Sequence, residues 1–222
     1  MIRQTKLGRR PFLLVLAGAW VCLAGCSGKG PDEVKFLTAV EKVKKGETRE
    51  LSCETYPKIT DKTLESLKDA GALTRLSLDN APITDAGLKS LENLTNLNWL
   101  SLSGTHVTDA GMPEVAKLTS LEKLRMDRTH VKNPGLQTIA SMTRLKELGV
   151  CRCGITDQGL ASLASLTNLE MLHLDDTFVT DAGLKLLTPL TNLHVLNVHG
   201  TKVTEAGANA FKQTMPNVKV NR

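Results

Sequence analysis

Cysteine, aspartate and histidine, the residue types that bind metals and perform thiol chemistry, recur at a fixed interval late in the chain. Cys151, Asp175 and His199 are 24 residues apart, and His173 lies beside the middle one. If this interval places them on adjacent strands, neighbouring side chains are about 5 Å apart, which is a starting geometry for a metal site. However, there is no CxxC or HExxH pattern and no closed set of four ligands. We therefore expect neither a metal nor another cofactor.

The motifs of common enzymes are missing from the chain. It has no GxSxG sequence, no glycine-rich phosphate loop and no carboxylate pair outside the regular repeat described below. Cys151 and Cys153 are two residues apart, so a disulfide between them would be strained, and a free Cys151 would be reactive in an oxidising compartment. We predict that the protein is not an enzyme and has no catalytic residues.

The N-terminal segment has the pattern of an export signal that ends in a lipid attachment site. Four basic residues in the first ten are followed by an apolar run, 12–25, which is too short to span a bilayer comfortably as a helix. Leu23-Ala24-Gly25-Cys26 resembles a bacterial lipobox. The resemblance implies cleavage after Gly25, diacylation of the Cys26 sulfur and firm membrane anchoring. The alternative is an ordinary signal peptide, with Cys26 as a free thiol.

This interpretation also accounts for the charge and implies a location. Removing the four N-terminal cations from the net charge of +5 leaves +1, so we predict no nucleic-acid binding. We expect a lipid-anchored protein of the bacterial cell envelope. The pair Arg9-Arg10 is compatible with a twin-arginine export signal and also with a general secretory signal peptide. Ser27, which follows Cys26, is not acidic, and a non-acidic residue there usually accompanies sorting to the outer membrane in Gram-negative families. Anchoring in the inner membrane and in the outer membrane are both retained as alternatives.

The strongest pattern in the chain is a unit that recurs every 24 residues from Leu73 onward. Apolar residues occupy its first, fourth and sixth places in six copies: 73–78, 97–102, 121–126, 145–150, 169–174 and 193–198. A second motif, Thr-Asp-Ala-Gly-Leu or a variant of it, follows in these units, and its copy at 60–64 indicates an earlier repeat whose strand contains Leu51 and Cys53. This pattern resembles the leucine-rich-repeat family, including planctomycete-like members, over about residues 50–222.

The resemblance implies an α/β leucine-rich-repeat solenoid, a horseshoe arc with a parallel concave sheet and short convex helices. The spacing agrees, because places four and six share one face of a strand, and residues 88, 91 and 94 have helical spacing. One such unit cannot bury its apolar face alone and needs stacked neighbours. We divide the chain into a lipoprotein signal peptide (1–25), a lipidated Cys and linker (26–31), an N-terminal cap helix (32–48) and a leucine-rich-repeat domain (49–222).

The Asp of the Thr-Asp-Ala-Gly motif is interpreted as a helix N-cap, since a carboxylate accepts hydrogen bonds from first-turn amides. One repeat has Asn133 in its place, followed by Pro134, a residue preferred at the first helical position. This explanation is structural, so the recurring Asp is not a catalytic candidate.

Strand residues between the core leucines are predicted to face the concave side, where leucine-rich-repeat proteins generally bind proteins or peptides. The candidate contacts are Arg75, Trp99, Lys123, Arg125, Asp127, Met171, His173, Asp175 and His199. Trp99, Arg125, Met171 and His173 are the predicted anchors, because no core requirement explains them and such residues anchor interfaces. The alternative is a solvated face without a ligand.

Three functional hypotheses follow for the exported part. The first is a membrane-anchored scaffold that binds a protein or peptide partner through the concave sheet. The second is a structural or self-associating envelope element without a discrete partner. The third, less favoured, is a metal-dependent enzyme or metal sensor.

Overall fold

The computed structural model of the chain describes residues 30–53, 56 and 58–222. The predicted signal peptide, the predicted lipobox with Cys26 and most of the predicted linker therefore lie outside the described residues. Within these ranges, none of the helices is both long and apolar enough to cross a bilayer.

Eight short strands of three residues each form one parallel sheet in chain order, β1 to β8. They are β1 Glu50–Ser52, β2 Arg75–Ser77, β3 Trp99–Ser101, β4 Lys123–Arg125, β5 Glu147–Gly149, β6 Met171–His173, β7 Val195–Asn197 and β8 Lys219–Asn221. The central residue of each strand pairs with the central residue of the next, so Leu76, Leu100, Leu124 and Leu148 stand in line. All four are fully buried, which confirms the predicted common core.

Short helices alternate with the strands, as the resemblance implies. The α-helices are α1 Pro31–Lys44, α2 Asp61–Leu64, α3 Asp85–Leu88, α4 Met112–Ala116, α5 Asn133–Ile139, α6 Asp157–Ala161, α7 Asp181–Lys185 and α8 Glu205–Thr214. Single turns of 3₁₀-helix extend several of them, at Glu65–Asp69, Lys89–Leu91, Asp109–Gly111 and Ser162–Ser165. The open sheet and the alternating helices form a leucine-rich-repeat solenoid.

The core is built from aliphatic side chains, with aromatic rings only near its two ends among the described residues. Phe36 on α1 is fully buried and meets Tyr56 edge to face, with ring centroids 5.7 Å apart. Phe211 on α8 is buried at the opposite end, next to Val218 and Val220. These segments cover the terminal repeats, which would otherwise expose apolar surface to water.

The recurring Asp is not a helix N-cap, and that prediction is wrong. In the repeat containing α7, Thr180 is the cap and accepts a hydrogen bond from the amide of Ala182 at 3.2 Å. The Asp of the preceding repeat, Asp157, accepts from the Thr180 amide at 2.8 Å and from its hydroxyl at 2.6 Å. The motif is therefore a ladder that joins each repeat to the next, because the carboxylate satisfies donors one repeat away.

The same Asp-to-Thr contact recurs along the array. Asp61 binds Thr84, Asp85 binds Thr108 and Asp181 binds Thr204 in the same way. In the variant repeat, Asn133 accepts from the Thr156 amide at 3.0 Å and donates from its amide nitrogen to the Thr156 hydroxyl at 2.8 Å. Asn therefore replaces Asp by reversing the direction of one hydrogen bond.

Threonines at the ninth place of the unit close the turn that follows each strand. The hydroxyls of Thr105, Thr129, Thr177 and Thr201 each donate to the backbone carbonyl three residues earlier, at 2.6 to 2.7 Å. Cys153 at the same place donates instead to the Met126 carbonyl of the preceding repeat, at 3.1 Å. These side chains satisfy backbone carbonyls in the turns that follow the strands.

Candidate functional site

Strand alternation produces three rows of side chains on the face of the sheet that lies away from the core. The third-place row comprises Arg75, Trp99, Lys123, Glu147, Met171 and Val195, which are paired strand to strand. The fifth-place row comprises Ser77, Ser101, Arg125, Gly149, His173 and Asn197. The seventh-place row, just beyond the strands, comprises Asp79, Ser103, Asp127, Cys151, Asp175 and His199. The predicted contact residues thus share one face, as the alternation of the strands requires.

Trp99 separates two hollows at the N-terminal half of this face. The Arg75 guanidinium lies over the indole, with its carbon 4.7 Å from the ring centroid. The N-terminal hollow, of about 430 Å³, is lined by Glu50, Arg75 and Trp99 among others. The central hollow, of about 420 Å³, is lined by Trp99, Ser101, Ser103, Arg125, Arg128, Arg152 and neighbouring polar side chains. A cation stacked on a half-exposed indole gives this region a rigid aromatic edge.

The seventh-place aspartates join neighbouring repeats along this face, and Asp79 and Asp127 also line the central hollow. Asp79 accepts from the Ser103 amide at 3.0 Å, Asp127 from the Cys151 amide at 2.8 Å and Asp175 from the His199 amide at 2.9 Å. Asp79 also accepts a short hydrogen bond from the Ser101 hydroxyl. Asp127 and Asp175, both predicted contacts, therefore already bind the backbone of the following repeat.

A cluster of charges surrounds Glu147 at the centre of the face. Its carboxylate lies 3.2 Å from Lys123 Nζ, 3.1 Å from Arg125 Nε and 3.9 Å from His173 Nε2. Burial raises the pKa of this carboxyl group, but the hydrogen bond from Lys123 and the charges of Arg125 and Lys123 together outweigh burial. The pKa of Glu147 consequently lies below its usual value, and the group is ionised at neutral pH.

His173 is oriented by a chain of side-chain amides from the following strands. Asn221 donates to Asn197 Oδ1 at 2.7 Å, and the Asn197 amide nitrogen lies 2.7 Å from His173 Nδ1. Because that nitrogen is a donor, Nδ1 is the acceptor and the neutral ring has its proton on Nε2. Nε2 is buried without a hydrogen-bond partner in the described part of the chain, on the side facing Glu147.

Cys151 is a free thiol in the central hollow, and Cys153 is buried and also unbridged. Burial raises the pKa of the Cys151 thiol, and the nearby charge of Asp127 raises it further. A raised pKa disfavours the nucleophilic thiolate, which argues against the reactivity expected from the sequence.

The predicted row of Cys151, Asp175 and His199 forms, and Asp175 at its centre contacts both of the other members. The Cys151 thiol lies 3.5 Å from Asp175 Oδ2, while the other oxygen of Asp175 accepts from the His199 amide. Over residues 30–53, 56 and 58–222, no group of three or more His, Cys, Asp or Glu side chains has a geometry that could hold a metal ion.

Two arginines in the central hollow occupy an unusual backbone conformation that the sequence analysis did not consider. At the eighth place, Asn80, Arg128, Arg152 and Asp176 have φ between 55° and 58°, and Gly104 and Gly200 have φ of 70° and 69°. A left-handed conformation costs a residue with a Cβ about 1–2 kcal/mol, which glycine avoids. The signal available in the sequence was the glycine that occupies this place in two repeats.

Comparisons with known proteins agree with this architecture. A family model described as a leucine-rich repeat region matches residues 52–220. The fold is similar to internalin C2 from Listeria monocytogenes, with a TM-score of 0.61, 21% identity, and coverage of 86% of this chain and 92% of that one. It is also similar to a leucine-rich-repeat protein from Leptospira interrogans, with a TM-score of 0.53, 15% identity, and coverage of 71% of this chain and 45% of that one. No curated protein gave a significant match.

Proposed function

Because the chain belongs to the leucine-rich-repeat family, we propose that its concave sheet binds a protein or peptide partner. Members of this family and fold are typically scaffolds without enzymatic activity. The main supporting observation is the third-place row, where Trp99 and Met171 stand on the solvent side of the sheet although the core does not require them. Large aromatic, Met and Arg side chains on a preformed surface are typical of interface anchors.

Rigid display is the proposed mechanism of binding. The buried leucine column, the Asp-to-Thr ladder and the seventh-place aspartates join each repeat to the next. A surface that is already ordered loses little conformational entropy when a ligand binds, so more of the contact free energy appears as affinity.

We further propose that the scaffold is attached to the bacterial envelope by lipid on Cys26. The support is in the sequence: the basic segment, the apolar run and the residues before Cys26. Residues 27–30 have the composition of a flexible linker, which would let the repeat domain stand off the membrane surface.

The test uses the full-length protein in the envelope of its own bacterium, with a photo-crosslinking amino acid at position 171 or, as a control, at exposed position 212 on α8. We expect discrete crosslinked partners from position 171 and none from position 212. The double variant Trp99→Ala, Arg125→Ala should abolish the crosslinks while the domain stays folded, with only a small drop in melting temperature from the lost Arg125–Glu147 ion pair. Unchanged crosslinks in that variant would refute the chosen anchors, and equal crosslinking from both positions would refute the proposed face.

A further inference from the structure

We propose that the partner presents an acidic peptide segment whose carboxylates bind Arg125, Arg128 and Arg152 beside Trp99. This inference rests on the proposed function, since it names the chemistry of the ligand for the same face. The three arginines line the central hollow, with Arg125 and Arg128 on one repeat and Arg152 on the next.

The guanidinium groups retain donors for a ligand. Arg125 uses Nε to bind Glu147 at 3.1 Å, and Arg152 uses Nε to bind Asp176 at 2.9 Å. In the described part of the chain, the terminal nitrogens of Arg125 and Arg152 make no hydrogen bond to protein, and Arg128 donates one terminal nitrogen to Asn80 Oδ1 at 3.4 Å. A pair of terminal guanidinium nitrogens matches the two oxygens of a carboxylate, which makes arginine suited to this recognition.

Most acidic groups of the region are less exposed than Arg128 and Arg152, and the exception, Asp176, is 41% exposed and paired with Arg152. The Glu147 side chain is 12% exposed, whereas the side chains of Arg125 and Arg152 are 40% and 64% exposed. Asp79 and Asp127 are held at the floor by the amides of the following repeats. A ligand that approaches the hollow therefore meets Arg128 and Arg152 before Asp79, Asp127 or Glu147, which favours a ligand with negative charge.

The backbone at Arg128 and Arg152 adds an independent argument. Both residues have φ of 56°, at a place where Gly104 and Gly200 occupy the same conformation in other repeats. Glycine, and to a lesser degree the Asn80 and Asp176 found at the same place, adopts this conformation at a lower cost than arginine. Arginine on two successive repeats therefore points to a use for the side chains, and strained residues of this kind cluster at ligand sites.

The fixed acidic groups also indicate which kind of anion fits. Asp79 and Asp127 line the same hollow, and Asp176 is paired with Arg152 at its rim. A nucleic acid, with one negative charge on every nucleotide, would be repelled by these groups. A peptide with carboxylates separated by neutral residues can place them at the arginines alone and lay an apolar side chain against Trp99.

The test measures binding of a defined probe to the full-length protein in non-ionic detergent, in a Trp20→Phe background that leaves Trp99 as the sole tryptophan. The probe is a blocked octapeptide of alternating Glu and Gly, and the matched peptide has Gln in place of Glu. Titration of Trp99 fluorescence at about 50 mM salt should show affinity for the Glu peptide at least about tenfold higher than for the Gln peptide. Equal affinities would overturn the proposal.

The variant pair Arg128→Gly, Arg152→Gly separates binding from folding, because glycine is favoured by the backbone at both positions. We expect the Glu peptide to bind at least about tenfold more weakly while the melting temperature stays the same or rises. The matched control, Asp176→Gly, removes a carboxylate at an equivalent left-handed position and should bind the Glu peptide as well as or better than the parent. Unchanged binding in the double variant would overturn the proposal.

Two further outcomes are informative. An oligothymidylate of equal charge that binds more tightly than the Glu peptide would overturn the proposal in favour of a nucleic-acid ligand. Crosslinked partners from position 171 that persist when the Glu peptide fails to bind would overturn this inference and leave the proposed binding face standing. Loss of both the Glu-peptide binding and the crosslinks from position 171 would overturn this inference and the proposed binding face together.

Discussion

The aspartate of the repeated Thr-Asp motif has a role that only its neighbours in space reveal. Asp157 accepts two hydrogen bonds from Thr180, and Thr180 in turn caps α7. A side chain that recurs every 24 residues can contact its own repeat or the next one, and both possibilities produce the same periodicity. The sequence therefore predicts correctly that the Asp is structural. It wrongly assigns the Asp to the start of its own helix, whereas the Asp binds the threonine that caps the next helix.

Substitution at Asp157 tests the ladder. Asp157→Ala leaves the Thr180 amide and hydroxyl without their acceptor and should lower the free energy of unfolding by about 1–3 kcal/mol. Asp157→Asn should cost less than half as much, because Asn133 already occupies the equivalent place and bonds Thr156 through both of its amide atoms. Urea denaturation measures both values. Equal losses for the two variants would contradict the ladder.

Because the pKa of Glu147 is lowered in the folded protein, we expect the free energy of unfolding to depend on pH. The charged form of Glu147 contributes stability above the ordinary glutamate pKa of about 4.3, and this contribution is lost as the pH falls through the lowered value. The difference in unfolding free energy between the parent and Glu147→Gln should be largest near neutral pH and should shrink below about pH 4.

Denaturation at a series of pH values measures this difference. Glu65→Gln, at an exposed side chain with no ion pair in the described ranges, is the control and should follow the curve of the parent protein. A constant difference between the parent and Glu147→Gln across the pH range would contradict the assigned role of the Glu147 cluster.

At the scale of the element, each helix start is shaped by the repeat before it. The glycine of the motif lies under the preceding aspartate, and a Cβ added at Gly183 would come closer than 3.0 Å to the Asp157 carboxylate and within 3.1 Å of Leu160. The carboxylate cannot move away without giving up its two hydrogen bonds to Thr180. The glycine is thus required by close packing between repeats, with no need for a left-handed backbone.

Gly183→Ala should lower the free energy of unfolding by about 1–3 kcal/mol, as overpacking at a tight contact does. Gly71→Ala is the matched control, because a Cβ there would meet only the Asn93 carbonyl at 3.9 Å. The control should leave the denaturation midpoint nearly unchanged. If both alanine variants were equally stable, the close contact between repeats would not constrain the motif.

The elements could largely be predicted from the sequence, and the details of the site could not. The interval of 24 residues places each strand, and alternation decides that Leu76 faces inward while Arg75 and Ser77 face the other way. The pairing of His173 with Asn197 depends on side-chain conformations across two strands. The left-handed backbone at Arg128 is indicated only indirectly, by the glycines at the same place in two other repeats, because arginine itself gives no signal for it.

At the scale of the whole molecule, the stacked repeats act as one body with one continuous sheet from β1 to β8. Consecutive pairing of the strands makes every repeat depend on its neighbours, while α1 and α8 cover the two ends. The outer face of such a sheet is long and preformed, and its side chains can differ from repeat to repeat without disturbing the leucine column beneath them. This separation of core from surface is the basis of the proposed binding function.

The central claim is that a partner covers the face bearing Trp99 and Met171, and hydroxyl-radical footprinting of the unmodified protein tests it most directly. Oxidation of side chains is compared between the purified full-length protein and the protein in its native envelope. We expect Trp99 and Met171 to react more slowly in the envelope, while Phe178, which is 56% exposed and lies outside the three rows, reacts equally in both. Equal oxidation of Trp99 and Met171 in the two preparations would contradict it.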